Sequence, residues 1–314
     1  MRILVLGAGA LGGYFGARLI EAGADLAFLV RPQRQEHLAR HGLSVECPVF
    51  GGWRQPVTAL LPEEARPGWD LILLSCKAYD LEAAIEALRP AAVGAAILPV
   101  LNGLDHIGRL QAAFGEAAVL GGTAKIRATL GADGVVHNLS DWRSITLGEW
   151  RGGTSERCER FAALARRGGI EAKAVPDIQG AMWAKLVHLG TVAAGTVLLR
   201  GSTGQIARAE GGTDFMLTLL ERNAAIAAHH GHPVTPEFLA EYHTLLSDRT
   251  GRYTASMLRD LEAGGRIESQ AILGTLLRLG REAGVDTTLH ALAWLHARTY
   301  EERRAEELAR EQAA

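Results

Sequence analysis

The chain has 314 residues, enough for two domains with separate cores rather than one. Apolar residues make up 48% and charged residues 22%, which excludes a largely disordered or fibrous protein. Thirty-three Lys and Arg against 35 Asp and Glu give a formal charge of −2, so no net field favours nucleic acid or a membrane surface as a partner.

Ile3–Leu6 is a predicted strand, Leu11–Ala22 a helix and Leu26–Val30 a second strand; Leu71–Leu74, a helix over Leu81–Leu88, and Ile97–Leu101 repeat the alternation. Short apolar runs alternating with helical spacing are the pattern of a parallel sheet covered by helices. From Val119 to Trp150, runs of Thr, Val and Ile are broken by Gly131-Ala132-Asp133-Gly134 and by Ser140-Asp141. These breaks predict antiparallel strands joined by turns, so a mixed sheet closes the first domain. Glu156–Arg167 reads as a helix and Glu171–Val175 as a last strand. Pro176-Asp177 then offers a proline break with a helix N-cap behind it, which sets the domain boundary. Residues 1–176 are expected to form an α/β, Rossmann-like domain.

Beyond Asp177 no segment reads as a strand. Ile178–Leu199, Thr213–His230, Pro236–Ser247, Thr254–Ala263, Ala271–Ala283 and Thr288–Ala309 all carry helical spacing, so residues 177–314 are expected to be all-helical. The longest weakly polar stretch, Leu186 to Leu199, is 14 residues, short of the roughly 20 that span a bilayer. The start, Met1 to Gly7, has one basic residue and reaches glycine before a signal-peptide core could form. Cys47, Cys76 and Cys158 are odd in number and far apart, without a CxxC spacing. Together these features predict a cytoplasmic protein with no disulfide framework and no metal site.

Gly7-Ala8-Gly9-Ala10-Leu11-Gly12 follows the first predicted strand and opens the first helix, the context that gives GxGxxG its meaning. Gly7 permits the tight turn, Gly9 a close approach of pyrophosphate to the backbone, and Gly12 close packing of helix on sheet. The bland alternative is a glycine-rich structural turn; the strand before and the helix after favour a dinucleotide. At the end of the second strand, where an acidic residue would bind a ribose hydroxyl, stands Arg31, while Asp25 lies at the wrong end of that strand. A guanidinium suits a 2′-phosphate, which favours NADPH over NADH.

Three later segments carry polar residues where ligands bind: Ser75-Cys76-Lys77-Ala78-Tyr79 and Leu101-Asn102-Gly103-Leu104 after buried strands, and Trp183-Ala184-Lys185-Leu186 in the first helix of the second domain. Taken alone, Lys185 reads as a lysine snorkelling from an apolar helix. As a set, with GAGALG at Gly7–Gly12, Arg31, CKAYD at Cys76–Asp80, LNGLD at Leu101–Asp105, AKL at Ala184–Leu186 and SMLRDLEAGGRIE at Ser256–Glu268, they resemble the ketopantoate reductase (2-dehydropantoate 2-reductase) family over nearly the whole chain. The resemblance implies NADPH held between a Rossmann domain and a helical domain, and reduction of a 2-oxo acid. It implies Lys185 as proton donor, Glu268 beside the cofactor ribose and that lysine, and Asn102 contacting both cofactor and substrate. Ser256 becomes a substrate carboxylate contact, Arg31 and Lys77 become contacts for the adenosine phosphate, and Ala128 offers a backbone contact.

Where the family's ketopantoate-binding asparagines stand, four and eight residues after the lysine and once further on, this chain has Leu189, Ala193 and Thr203. Spacings of i+4 and i+8 keep the first two on the face of Lys185, so the substrate is expected to be ketopantoate or a more apolar 2-oxo acid. His188 and Thr191 flank that face and substitute only if the helix rotates. The rival class is a non-catalytic NADPH-binding sensor on the same fold; having both Lys185 and Glu268 favours the enzyme. His229, His230 and His232 read as a helix-end cluster rather than a metal site. A homodimer is compatible with the sequence.

Overall fold

The computed structural model describes Met1 to Ala313 and divides into two compact units, one of Met1–Leu101 with His106–Ala181, the other of Asn102–Asp105 with the chain from Met182 onward. In the first unit, β1 (Arg2–Leu6), β2 (Asp25–Leu29), β5 (Thr58–Leu60), β6 (Leu71–Leu74) and β7 (Ala96–Pro99) form a five-stranded sheet in the order β5-β2-β1-β6-β7. Every pairing in it is parallel, with Ile3 opposite both Leu26 and Leu71. Strand β6 and the edge strand β7 are continuous apolar runs with all four residues buried, as a sheet covered on both faces requires. Helices α1 (Ala10–Glu21), α2 (Pro32–His41), α3 (Leu81–Leu88) and α4 (His106–Phe114) follow strands of this unit. The strand order runs outward from β1 in both directions, which makes the carboxyl end of β1 the topological switch point where α/β sheets bind ligands.

The remaining strands, β3 (Leu43–Cys47), β4 (Gly51–Gln55), β8 (Leu120–Leu130), β9 (Val136–Glu149) and β10 (Glu171–Ala174), form a second sheet. It is the expected mixed sheet, with β3–β9 and β9–β10 parallel and β3–β4 and β8–β9 antiparallel, and it is separate from the parallel sheet. Ser140-Asp141, however, does not end a strand. Ile126 pairs with Arg143 and Ala128 with Asn138, so residues 139–142 form a bulge opposite Arg127 within a continuous β9. Phe28 closes on α1 so tightly that a Cβ at Gly16 would stand 2.4 Å from its ring. Helix α5 (Glu156–Arg167) buries Phe161 against the same core, which also holds Tyr14, Phe15 and Ile145.

The second unit contains helices and no strand among the described residues: most of α6 (Ile178–Leu199), then α7 (Thr203–Arg208), α8 (Gly212–His229), α9 (Pro236–Ser247), α10 (Ser256–Glu262), α11 (Thr275–Glu282) and α12 (Thr288–Ala313). Asp177 accepts a hydrogen bond from the Gly180 amide at 2.8 Å and so starts α6. That helix is 22 residues, long and apolar enough to cross a membrane, which corrects the expectation that its apolar stretch is too short. Its most apolar window is 67% buried inside the protein, the placement of a central core helix. Leu186, Val187, Val192, Ala193 and Val197 pack with Met216, Leu220, Met257 and Leu276 in one core.

Candidate functional site

In the first unit the glycine loop sits at the carboxyl end of β1. Gly7 has φ 90, a left-handed value that side chains disfavour, and its amide donates to Leu29 O at 2.9 Å, tying the turn to β2. A Cβ at Gly12 would stand 2.0 Å from Gly7 O and 2.6 Å from Ser75 Oγ, so only glycine lets α1 start this close to the strand. Gly9 caps α1 without a side-chain hydrogen bond, and open space lies where its Cβ would be. Ala8, Ala10 and Leu11 complete the loop, leaving the first amides of α1 for an anion, the arrangement that holds a pyrophosphate.

Arg31 caps α2 immediately beyond β2, and Lys77 follows β6 as the cap of a short 3₁₀ turn, Ala78–Asp80. Asp80, from that turn, pairs with Arg31: Nη2 to Oδ2 is 3.1 Å. Ser75 Oγ donates to Leu6 O at 3.0 Å and fastens β6 to β1 beside the loop. One residue missed in the sequence is Arg34. Its Nε donates to Ala8 O at 3.0 Å and its Nη1 to Gly134 O at 3.1 Å, which pins the loop from α2. Burial lowers the pKa of this guanidinium. Ala128 lies within β8 opposite Asn138, so its peptide belongs to the ladder of the second sheet rather than to a loop.

In the second unit the structure brings Asn102, Lys185 and Glu268 together. Asn102 Nδ2 donates to Glu268 Oε2 at 3.3 Å, across 166 residues of sequence. The segment carrying Asn102 is fastened at two further points. Thr275 Oγ1 donates to Asp105 Oδ2 at 2.7 Å and Arg278 Nη2 to Asp105 Oδ1 at 3.0 Å. Gly103, at φ 82, lies where a Cβ would be 2.3 Å from Ala271 O. Ala271 belongs to a π-helical turn, Gln270–Gly274, directly before α11. The single expected helix Ala271–Ala283 is therefore interrupted, as helices often are at functional sites.

Glu268 is 6% exposed. Lys185 retains some accessible surface as a residue, but protein crowds its ammonium: desolvation pulls its pKa down to about 8, against the opposing pull of the Glu268 charge. An ammonium in that range can give up its proton near neutral pH. Ser256 opens α10 in the same unit.

The face beyond Lys185 is only partly open. Leu189 is half-buried, whereas Ala193 is fully buried and belongs to the core. Thr191 is also buried; its hydroxyl donates to Val187 O at 2.8 Å and accepts from Asn223 Nδ2 at 2.9 Å. Asn223 Oδ1 in turn meets His290 Nε2 at 2.8 Å, and burial lowers the His290 pKa to about 4, so this ring is neutral at pH 7 and donates. Thr191 is thus committed to a structural chain. Thr203 is 1% exposed and its hydroxyl finds no hydrogen-bond partner among the described residues. His188 lies against Tyr242 and Tyr253, with ring centroids 4.3 and 5.6 Å apart. His230 and His232 each stack on Trp183 at 5.4 Å, which accounts for two of the three clustered histidines.

The α/β unit thus carries a glycine loop at its switch point, and the helical unit a desolvated lysine beside a buried carboxylate. The family model described as ketopantoate reductase PanE/ApbA matches residues 3–152, and that for the C-terminal part of the same family matches residues 177–301. The chain therefore belongs to the ketopantoate reductase family. It is 33% identical to the uncharacterized oxidoreductase YkpB of Bacillus subtilis, over 93% of this chain and 97% of that protein. It is 29% identical to a 2-dehydropantoate 2-reductase of Archaeoglobus fulgidus, over 92% and 94%. The crystal structure of 2-dehydropantoate 2-reductase from Methylococcus capsulatus superposes with a TM-score of 0.87 at 28% identity, over 97% of this chain and 98% of that one.

Proposed function

We propose that this protein reduces a branched 2-oxo acid to the 2-hydroxy acid with NADPH, acting on ketopantoate or a more apolar relative. The observation that carries the reading is the Asn102–Glu268–Lys185 cluster, with its desolvated ammonium. The residues of the first unit fit a dinucleotide: Gly9 leaves room at the start of α1, and Arg31 and Lys77 lie beyond the strands on either side of β1. When bound, the dihydronicotinamide supplies a hydride to the ketone carbon. Negative charge then grows on the ketone oxygen; Lys185 Nζ stabilises it and delivers the proton. Glu268 keeps that ammonium charged in a dry setting and Asn102 oriented through its amide. Ser256 and Asn102 hold the carboxylate. A sensor would have no use for the lysine–glutamate pair. A cytoplasmic location accords with three thiols, Cys47, Cys76 and Cys158, outside any disulfide.

The test is NADPH oxidation, followed by absorbance, across a panel of 2-oxo acids. Leu189 stands where an amide would bind the ketopantoate hydroxyl, and an apolar wall rejects an added hydroxyl only weakly. Ketopantoate and its deoxy analogue 2-oxoisovalerate should therefore agree in kcat/KM within about two decades, and simple ketones lacking the carboxylate should be poor substrates. A ketopantoate advantage above about four decades would mean that other groups bind the hydroxyl, with His188 and Thr203 the first to examine. No turnover of any 2-oxo acid would defeat the reading as a whole.

A further inference from the structure

We propose that Asp80 sets the cofactor selectivity of the first unit: its carboxylate competes with a 2′-phosphate for Arg31 and itself accepts a hydrogen bond from the free ribose hydroxyl of NADH. The proposal rests on the dinucleotide reading above and extends it. An acidic residue is missing from the end of β2, where Arg31 stands. The structure supplies one from another strand. β2 and β6 are the two neighbours of β1, so the chains leaving their carboxyl ends flank the loop that begins at Gly7. Arg31 and Asp80 meet there, Nη2 to Oδ2 at 3.1 Å.

The Arg31 side chain is 77% exposed and that of Asp80 27%, so the guanidinium is the member more open to an incoming ligand. An ion pair this exposed contributes little and yields to a ligand. A 2′-phosphate makes charge-assisted bonds to Arg31 but brings its own negative charge beside Asp80. A ribose 2′-hydroxyl meets no such repulsion and donates to the carboxylate, the role an acidic residue at the end of β2 has in dinucleotide folds. Arg31 thus favours NADPH while Asp80 limits that preference.

The experiment titrates NADPH and NADH, by the fluorescence of the reduced nicotinamide, into the wild type, Asp80→Asn and Arg31→Ala. Asparagine keeps the size of Asp80 and removes its charge. Asp80→Asn should bind NADPH about three- to tenfold more tightly and NADH about three- to tenfold more weakly. Arg31→Ala should lose about one to two decades of NADPH affinity and keep NADH within about threefold. Opposite signs for the two cofactors are the signature, because a merely structural effect of Asp80→Asn weakens both. An unchanged NADPH to NADH ratio in Asp80→Asn, or parallel weakening, overturns the proposal alone. A wild type that binds neither dinucleotide overturns the underlying reading as well.

Discussion

Lys185→Ala should lower the turnover number for 2-oxo acid reduction by about two to four decades while leaving NADPH affinity within about threefold. The magnitude follows from what the ammonium does. It is close to neutral in its effect on a ground-state ketone, and it matters when the oxygen becomes an alkoxide that needs charge stabilisation and a proton. Burial has brought its pKa to about 8, near the pH at which an acid is most effective. Removal of the side chain leaves Glu268 buried without its partner charge, so thermal unfolding should be measured alongside. Lys185→Met, which keeps the volume, separates lost chemistry from lost packing. Near-normal turnover in both variants would return Lys185 to the role of a snorkelling surface lysine.

Glu268→Gln should lower kcat/KM at pH 8 by about one to two decades, with a smaller loss at pH 6. The amide oxygen can still accept from Asn102 Nδ2, so that hydrogen bond survives and the change is chiefly one of charge. The Glu268 carboxylate raises the Lys185 pKa against desolvation. Without it the ammonium loses its proton at lower pH, and the fraction able to act as an acid shrinks first on the alkaline side. One opposite charge at short range shifts a pKa by about one to three units, which sets the size of the loss. An equal loss at every pH would assign Glu268 to positioning alone.

The parallel sheet was legible because strands buried on both faces read as unbroken apolar runs, and Leu71–Leu74 shows all four residues buried. The glycine loop was legible because backbone geometry restricts it to glycine at Gly7 and Gly12. Helix α2 left no such trace: Leu38 is its one buried residue, so its apolar period is empty and Arg34 went unrecognised with it. The short strands β4 and β5 were missed for a similar reason, no residue of either being buried, whereas β3 alternates buried Leu43, Val45 and Cys47 over only five residues, too short a run to stand out. Helical spacing put Leu189 and Ala193 on the face of Lys185, but spacing does not distinguish a residue that lines an opening from one in the core, and Ala193 is core. The π turn at Gln270–Gly274 reads as ordinary helix because one added residue barely disturbs the apolar period. Lys185 and Asp80 gain their meaning from partners distant in sequence. Glu268 and Arg31 reach them only through the fold.

The most direct test of the account is the pH dependence of kcat/KM for NADPH-driven reduction of a turned-over 2-oxo acid between pH 6 and 10, since this ratio reports the acid in the free enzyme. With Lys185 as the proposed proton donor, reduction requires its ammonium form, so the profile should be level at low pH, bend at about 8 and then fall about tenfold per pH unit. Oxidation of the 2-hydroxy acid needs the neutral amine and should rise through the same pH. A reductive profile that stays level to pH 10 would contradict the assignment of Lys185 as the proton donor.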